Sequence, residues 1–203
     1  MVNILKSLNS KRFFLIENTN IKIFEDIISQ LGNEVLRSNI KVEKNPRALV
    51  VSNAAIEWHQ DSTEARWMAW YCLHPGTGKN EYTEILPLDQ IVGGFSANDS
   101  AVFSKIKVKD RKSDGSENPK KLFEGNSLYY CPWLIEKENC SKGKIKKLKK
   151  VIGEAESASI KINWSAGTVL IIDNHWCLHR RPALQANSQR HLVRSWISER
   201  NCI

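Results

Sequence analysis

Residues 158–198 contain the clearest folding signal in the chain, a series of short strand patterns separated by turn signals. ASIKINW (158–164) is predicted to be a strand, SAG marks a turn, and TVLIID (168–173) is apolar enough to be buried on both faces. RHLVRSWIS (190–198) is predicted to be the last strand. Together with further short strands and only a few helices, this pattern favours a mainly β core with helical additions, a sandwich or a barrel.

The first two thirds of the chain mix helical and extended patterns. Apolar residues at helical spacing predict an amphipathic helix over 20–36, interrupted by Gly32. A short helix is predicted after YTEIL, a polar loop at 110–121, and either a basic surface helix or a mobile loop at 141–157. Strands are predicted at 47–52, 65–73, 101–109 and, bent at a proline, 128–135.

Size and cysteine content predict one domain in a reducing compartment. The chain has 203 residues, which suits a single domain over 1–203 with a sizeable core. No apolar run approaches the length of a membrane span, so no membrane association is predicted. The five cysteines are an odd number and form no CxxC pair. This pattern indicates reduced thiols and a cytoplasmic location, with neither a disulfide framework nor a zinc site.

The positive charge is concentrated in two insert-like segments, at about 105–121 and 136–157. Residues 105–121 carry a net +4 and residues 136–150 a net +5, which leaves −1 for the rest of a chain whose total is +8. A solvated basic face is the favoured interpretation, and a docking surface for an anionic partner is the alternative. Nucleic-acid binding is disfavoured, because the basic runs lack interleaved aromatic residues and no recognised binding motif appears.

Two short motifs, distant in sequence, carry residues suited to chemistry. In WHQDS, His59 and Asp61 are two positions apart, so an extended chain points both side chains to one side. That pair alone fits a metal site, a hydrogen-bonded pair or no function. Downstream, an apolar strand leads through DNHWCLHRR to His179. Arg190 and Arg194 follow, and on one strand they share a face, which is costly unless they meet an anion or stay solvated.

In these motifs the sequence resembles the taurine dioxygenase-like iron(II)/2-oxoglutarate-dependent oxygenases, over about residues 50–95 and 160–200. The resemblance implies that His59, Asp61 and His179 bind Fe(II), and that Arg190, eleven residues after the distal His, binds the far carboxylate of 2-oxoglutarate. Thr83, in NEYTEIL, is a looser match to a residue supporting that carboxylate. Arg194 matches a second family arginine that contacts co-substrate or substrate. The implied fold is a double-stranded β-helix (jelly-roll, cupin-like).

The resemblance also implies an activity. Two imidazoles and one carboxylate leave three coordination positions open on iron, for 2-oxoglutarate and O₂. The expected reaction is hydroxylation of a small molecule, such as an amino acid or a natural-product intermediate, with release of succinate and CO₂. Because Asp61 is retained, halogenation is disfavoured, and desaturation, cyclisation and epoxidation are family variants. The substrate is expected to be a small molecule, with an anionic or carrier-bound substrate as a variant.

Two other classes of protein remain as alternatives: a non-catalytic jelly-roll binding protein that retains the ligands, and a basic nucleic-acid-binding protein. Among neighbouring residues, His175 is predicted to be a surface or packing residue, and Arg180 and Arg181 to face solvent or an anionic substrate. Trp58 is predicted to be a core residue, with a place in the pocket wall as the alternative.

Overall fold

The computed structural model describes residues 4–136 and 141–200, which form two antiparallel β-sheets flanked by helices. The helices are α1 (Ile4–Lys11), α2 (Ile21–Leu31), α3 (Asp89–Val92), α4 (Ala97–Phe103) and α5 (Lys142–Ala155). The strands are β1 (Phe13–Ile16), β2 (Gly32–Lys41), β3 (Ile56–His59), β4 (Trp67–His74), β5 (Tyr82–Pro87), β6 (Lys107–Arg111), β7 (Glu117–Lys121), β8 (Phe123–Glu124), β9 (Ser127–Leu128), β10 (Ile160–Asn163), β11 (Val169–Asp173), β12 (Cys177–Arg181) and β13 (His191–Glu199).

The larger sheet has five strands in the order β1-β11-β4-β13-β2, and the smaller has four in the order β10-β5-β12-β3. Every neighbouring pair in both sheets is antiparallel. Two separate hairpins, β6-β7 and β8-β9, complete the sheet structure of the described residues. Chain neighbours are therefore seldom sheet neighbours, and residues far apart in sequence meet in the small sheet.

The larger sheet is covered on both faces. On one face, Trp67, Ala69 and Tyr71 of β4 pack in a cluster that contains the apolar residues of α1 and α2. On the other, Met68 and Trp70 belong to the cluster shared with strands of the smaller sheet. Strand β11 alternates in the same way and is buried throughout. This burial confirms the prediction that residues 168–173 are buried on both faces.

A third core cluster lies beside the smaller sheet, where α3, α4 and α5 contribute Ile91, Phe103, Leu148 and Ile152. Helix α5 resolves the two alternatives for the second basic segment, since its buried Leu148 and Ile152 form one apolar stripe and the lysines occupy the rest of its surface. Residues 137–140 of that segment lie outside the described residues.

The predicted helix over 20–36 was too long. Asn20 caps α2 through a hydrogen bond from the Ile23 backbone N–H to Asn20 Oδ1 (3.1 Å), and the helix ends at Leu31. Gly32 begins β2, which pairs with β13. A Cβ at Gly32 would clash with the carbonyl oxygen of Ser198, so glycine permits the close approach of the two strands. Long-range strand pairing here overrides a local helical pattern.

Other predicted boundaries were also wrong. Residues 49–51 form a 3₁₀ turn within the predicted strand 47–52. The first half of 101–109 belongs to α4, whose capping box of Ser96 and Asp99 starts the helix. The predicted loop 110–121 is mostly the hairpin of β6 and β7. Residues 128–135 contain the end of β9 and a 3₁₀ turn at Pro132–Leu134.

Cys72, Cys131 and Cys177 are buried free thiols, as the sequence predicted. Cys140 and Cys202 lie outside the described residues. None of the helices in the described part of the chain has the length and apolar character that crossing a membrane would require.

Candidate active site

Three potential metal ligands meet where β3 and β12 pair. His59 on β3 stands directly opposite His179 on β12 in the antiparallel register, and Asp61 follows β3 by two residues. One ligand atom from each of the three residues lies within 4.8 Å of the other two. Strand pairing thus brings together residues that are 120 positions apart in the sequence. Two nitrogens and one oxygen form the donor set that suits non-haem Fe(II).

The imidazole of His59 is held in one orientation by the backbone. Its Nδ1 donates a hydrogen bond to the carbonyl oxygen of Glu57 (2.8 Å), so the neutral ring keeps its Nε2 lone pair for a metal. The His179 ring lies 4.1 Å from the His59 ring between centroids, and its Nε2 is 3.9 Å from Asp61 Oδ2. Trp133 contacts the His59 ring at 4.8 Å, and Trp70 meets His179 edge-on at 5.3 Å.

The electrostatics of the three residues favour the protonation states that bind metals. Burial, the largest effect, lowers the pKa of His59, and burial together with the neighbouring His59 lowers that of His179 well below the usual value. Both rings are therefore neutral near pH 7. Burial opposes ionisation of Asp61, but the positive charge of Arg194, the largest of the opposing effects, outweighs it, so the Asp61 pKa is lowered. The carboxylate is available as an anionic ligand.

The turn that carries Asp61 is anchored by its neighbour Gln60 and by Asn174 from the β11–β12 turn. Asn174 Oδ1 accepts a hydrogen bond from the Asp61 backbone N–H (3.1 Å), and its Nδ2 donates to the carbonyl oxygens of Ser62 (3.0 Å) and Ala65 (2.9 Å). Gln60 donates to the Asn174 carbonyl oxygen (2.7 Å). These contacts join the turn after β3, which carries Asp61, to the turn before β12, which carries His179.

Arg190 and Thr83 lie together in the cavity that contains the three ligands. Arg190 is 5% exposed and stands just before β13, and its Nη2 donates to Thr83 Oγ1 (3.4 Å). Its Nε and Nη1 are buried and have no hydrogen-bond partner among residues 4–136 and 141–200. Burial and the nearby Arg181 lower the Arg190 pKa to about 10. A buried cation with two unused donors fits a carboxylate ligand, since a planar guanidinium binds carboxylates through two nitrogens.

Arg194 has a different partner from Arg190, although both line the same cavity. Its Nη1 lies 3.2 Å from Asp61 Oδ2, and its Nε donates to Ser38 Oγ (3.3 Å). The four-residue spacing predicted that Arg190 and Arg194 share a face, but the two side chains have different contacts. Arg190 presents unpaired donors, whereas Arg194 is paired with the carboxylate of the candidate metal site.

The ligand cavity is small and adjoins a larger one. The first has a volume of about 90 Å³, and the second about 420 Å³. Asp61, Trp133 and Arg194 line both cavities. Trp133 is 49% exposed and lies on the 3₁₀ turn after β9, in the middle part of the chain where the sequence shows no family likeness. No periodic or spacing signal could have identified it.

Several neighbouring residues have structural contacts. Arg180 pairs with Glu84 (2.7 Å) and Glu156 (2.8 Å), so neither of the predicted alternatives, solvent or an anionic substrate, describes its main contacts. Arg181 is buried in the cavity wall and donates to the Ser52 carbonyl oxygen (2.9 Å).

His175 Nε2 donates a hydrogen bond to the Thr63 carbonyl oxygen (3.0 Å), in agreement with the predicted packing role. Trp58 belongs to the third core cluster, and the residues lining the ligand cavity do not include it.

Comparison with known proteins agrees with this geometry. Residues 141–196, which include His179, Arg190 and Arg194, match the family described as taurine catabolism dioxygenase TauD, TfdA family. This match confirms the resemblance predicted from the sequence. No curated protein matches the chain by sequence.

Several solved structures share the fold. An asparagine oxygenase in complex with Fe(II), 2S,3S-3-hydroxyasparagine and succinate has a TM-score of 0.75 at 10% identity, over 97% of this chain and 78% of that one. The non-haem iron oxygenase OrfP, with Fe, succinate and (3S)-hydroxy-L-Arg, has a TM-score of 0.71 at 15% identity, over 96% and 77%. A taurine dioxygenase from Burkholderia xenovorans has a TM-score of 0.68 at 16% identity, over 97% and 80%. These similarities confirm the predicted double-stranded β-helix fold.

Proposed function

We propose that the protein is an Fe(II)- and 2-oxoglutarate-dependent dioxygenase that hydroxylates a small molecule. The observation that carries this proposal is the convergence of four side chains in one cavity. His59, Asp61 and His179 present ligand atoms within 4.8 Å of one another, and Arg190 presents two unpaired buried donors beside them. The three ligands suit a metal ion, and the guanidinium suits a carboxylate. Fe(II) together with 2-oxoglutarate would satisfy both.

In this proposal, His59, Asp61 and His179 hold the iron, and Arg190 with Thr83 orients the far carboxylate of 2-oxoglutarate. When bound, Fe(II) and 2-oxoglutarate supply the electrons that activate O₂: one oxygen atom enters the substrate as a hydroxyl, the other enters succinate, and CO₂ leaves. The neutral imidazoles and ionised Asp61 keep the site ready to bind a cation. Trp133 contacts the His59 ring and Trp70 contacts the His179 ring, so both tryptophans form part of the wall around the imidazoles.

The substrate is proposed to be an amino acid or a related small molecule. The larger cavity of about 420 Å³ meets the triad at Asp61, and Arg194 at their junction offers a cationic group to an anionic substrate. When Asp61 binds a metal, its charge is shared with the ion, which weakens its hold on Arg194. Two of the structurally similar oxygenases were crystallised with hydroxyasparagine and hydroxyarginine, and these complexes support the same substrate class.

Succinate formation tests the enzyme proposal directly. The protein is incubated with Fe(II), ascorbate, 2-oxoglutarate and air, alone and with a panel of amino acids, and succinate is measured. Succinate above the level of the His179→Ala variant, increased by one of the amino acids, is the expected result. Binding of 2-oxoglutarate with no succinate under any condition would instead identify a non-catalytic binding protein. Salt-dependent binding of DNA or RNA would support the basic nucleic-acid-binding alternative.

The lysines of α5 suggest a more specific proposal, in which the substrate is bound to a carrier protein. Lys147 pairs with Asp99, and Lys149 and Lys150 pair with Glu57 and Glu154. Within the described residues, three lysines of the same helix have no carboxylate at ion-pair distance: Lys142, Lys144 and Lys146. An acidic carrier protein would complement this unneutralised charge.

The docking form of the proposal is tested with Lys142, Lys144 and Lys146 changed together to Ala. Turnover of a carrier-tethered substrate should slow several-fold while turnover of the free analogue is unchanged. The matched control changes three exposed lysines outside both basic segments, Lys22, Lys41 and Lys44. Equal effects of the two triple variants would refute docking at α5. A cytoplasmic location and a single domain over 1–203 complete the proposal.

A further inference from the structure

A second buried carboxylate, Asp110, lies close to the metal-ligand turn but outside the candidate metal site. It is on β6 and has no exposed surface. Its Oδ1 accepts hydrogen bonds from Ser62 Oγ (2.9 Å), the Thr63 backbone N–H (3.0 Å) and the Tyr129 hydroxyl (3.3 Å). Its Oδ2 accepts a short hydrogen bond from Thr63 Oγ1 and pairs with Lys112 Nζ (3.1 Å).

Most of these donors belong to the turn that follows Asp61. Ser62 and Thr63 are the next two residues of the chain, and both bond to Asp110, while Asn174 holds the same turn from the other side. The position of Asp61 is therefore set by two side chains from distant elements. Burying a carboxylate is costly, and the number of donors around Asp110 compensates for that cost.

The hairpin that carries Asp110 also borders the larger cavity. In the described residues, β6 and β7 form their own two-stranded sheet, separate from the two main sheets. Arg111 at the end of β6, and Lys112 and Ser113 in the connection to β7, line the cavity of about 420 Å³ next to Asp61. A further contact joins the same two segments, since the Ser113 backbone N–H donates to Glu64 Oε2 (2.7 Å).

We propose that Asp110 is a positioning residue that fixes the turn carrying the metal ligand Asp61 and attaches the β6–β7 hairpin to it as the outer wall of the substrate cavity. This inference rests on the proposed function of the triad. It assigns a role to a part of the chain in which the sequence shows no family likeness. Asp110 touches neither the metal ligands nor the proposed co-substrate site, so it acts through the geometry of residues 61–63.

The role is tested by the affinity of the folded protein for Mn²⁺, used as a redox-inert probe of the metal site. Asp110→Asn keeps the shape of the side chain but places an amide donor against the donors of Thr63 and Lys112. We expect Asp110→Asn to weaken Mn²⁺ binding about tenfold, the lower end of the effect of outer-shell partners. Asp114→Asn is the matched control, since it makes the same charge change at an exposed residue of the same hairpin, bonded to the Ser116 N–H (2.8 Å).

Thermal unfolding of the metal-free variants separates positioning from a purely structural role. A melting temperature lowered in Asp110→Asn, with an Mn²⁺ dissociation constant within twofold of wild type, would overturn the proposal. If Asp110→Asn does not fold, Thr63→Val removes one hydrogen bond to Asp110 and keeps the pair with Lys112. It should weaken Mn²⁺ binding about threefold, the effect of a modest hydrogen bond, and an unchanged affinity would again refute the role.

The two proposals fail in different ways. Absence of Mn²⁺ binding by the wild-type protein would remove the proposed function and the positioning role together. Wild-type binding that Asp61→Ala abolishes, combined with unchanged binding in both Asp110→Asn and Thr63→Val, would leave the proposed function intact and remove only the positioning role.

Discussion

Replacement of Arg190 by Ala should separate co-substrate binding from metal binding. Arg190 is 5% exposed, and its Nε and Nη1 have no partner in the described part of the chain, so a bound carboxylate would be a desolvated partner. Truncating one member of such a pair costs about 2–4 kcal/mol, which raises the dissociation constant of 2-oxoglutarate about 30- to 1,000-fold. Metal binding should be unchanged, because Arg190 bonds to Thr83 and not to the triad.

The assay is the thermal shift caused by 2-oxoglutarate in the presence of saturating Mn²⁺, which prevents turnover. At a concentration 100 times its dissociation constant, a ligand stabilises the folded state by about 2.7 kcal/mol. For a domain of this size that corresponds to a shift of about 5–10 °C. A 100-fold loss of affinity reduces the stabilisation to about 0.4 kcal/mol and the shift to about 1 °C.

An exposed arginine elsewhere in the chain, Arg37, provides the control for the Arg190→Ala variant. Arg37→Ala removes an arginine whose side chain is 39% exposed and pairs with Glu25 and Glu34, and it should retain the full 2-oxoglutarate shift. The same shift in Arg190→Ala as in wild type would show that the guanidinium does not bind the co-substrate. Loss of the Mn²⁺-induced shift in Arg190→Ala would instead show that Arg190 supports the metal site.

Three further predictions concern the site and the fold. His59→Ala, Asp61→Ala and His179→Ala should each weaken Mn²⁺ binding, measured by titration, by more than the roughly 10- to 100-fold that outer-shell changes cost. Because burial lowers the pKa values of His59 and His179 below 6.5, the unfolded chain binds more protons there. The unfolding free energy of the metal-free protein, measured in urea, should therefore fall as the pH drops below 6.5, and a flat profile would contradict the neutral buried rings. Gly32→Ala should destabilise the protein by about 1–3 kcal/mol in the same assay, through the clash with the Ser198 carbonyl oxygen.

The sequence was most informative where local pattern and tertiary environment agree. The strand over 168–173 was predicted to be buried on both faces, and β11 is. The helix around Phe24 and Ile28 was predicted from its apolar stripe, and α2 buries both residues. Boundaries failed where a distant partner determines the conformation. Residues 33–36 continue a helical pattern, yet they belong to β2 because this segment pairs with β13, with a register shift between Glu34 and Leu36.

The candidate site shows the same division. Spacing and family resemblance identified His59, Asp61, His179, Arg190, Thr83 and Arg194, and all six line one cavity. The separate partners of Arg190 and Arg194 were not predictable, because four-residue spacing on a strand specifies a face and no particular contact. Trp133 and Asp110 carry no motif, and both come from the middle of the chain, where long-range packing places them next to the candidate site.

The amino-acid sequence alone determines the types of donor atom and the order in which they appear. It also determines the alternation of apolar and polar residues that turns one face of each strand toward the core. The tertiary structure decides which donors meet, because antiparallel pairing of β3 with β12 sets His59 opposite His179 and the turn beyond β3 delivers Asp61. Within the described residues, it also leaves two donors of Arg190 without a partner and surrounds the carboxylate of Asp110 with hydrogen-bond donors. Periodicity acts over a few residues, whereas these contacts depend on the register between segments about fifty to more than a hundred positions apart.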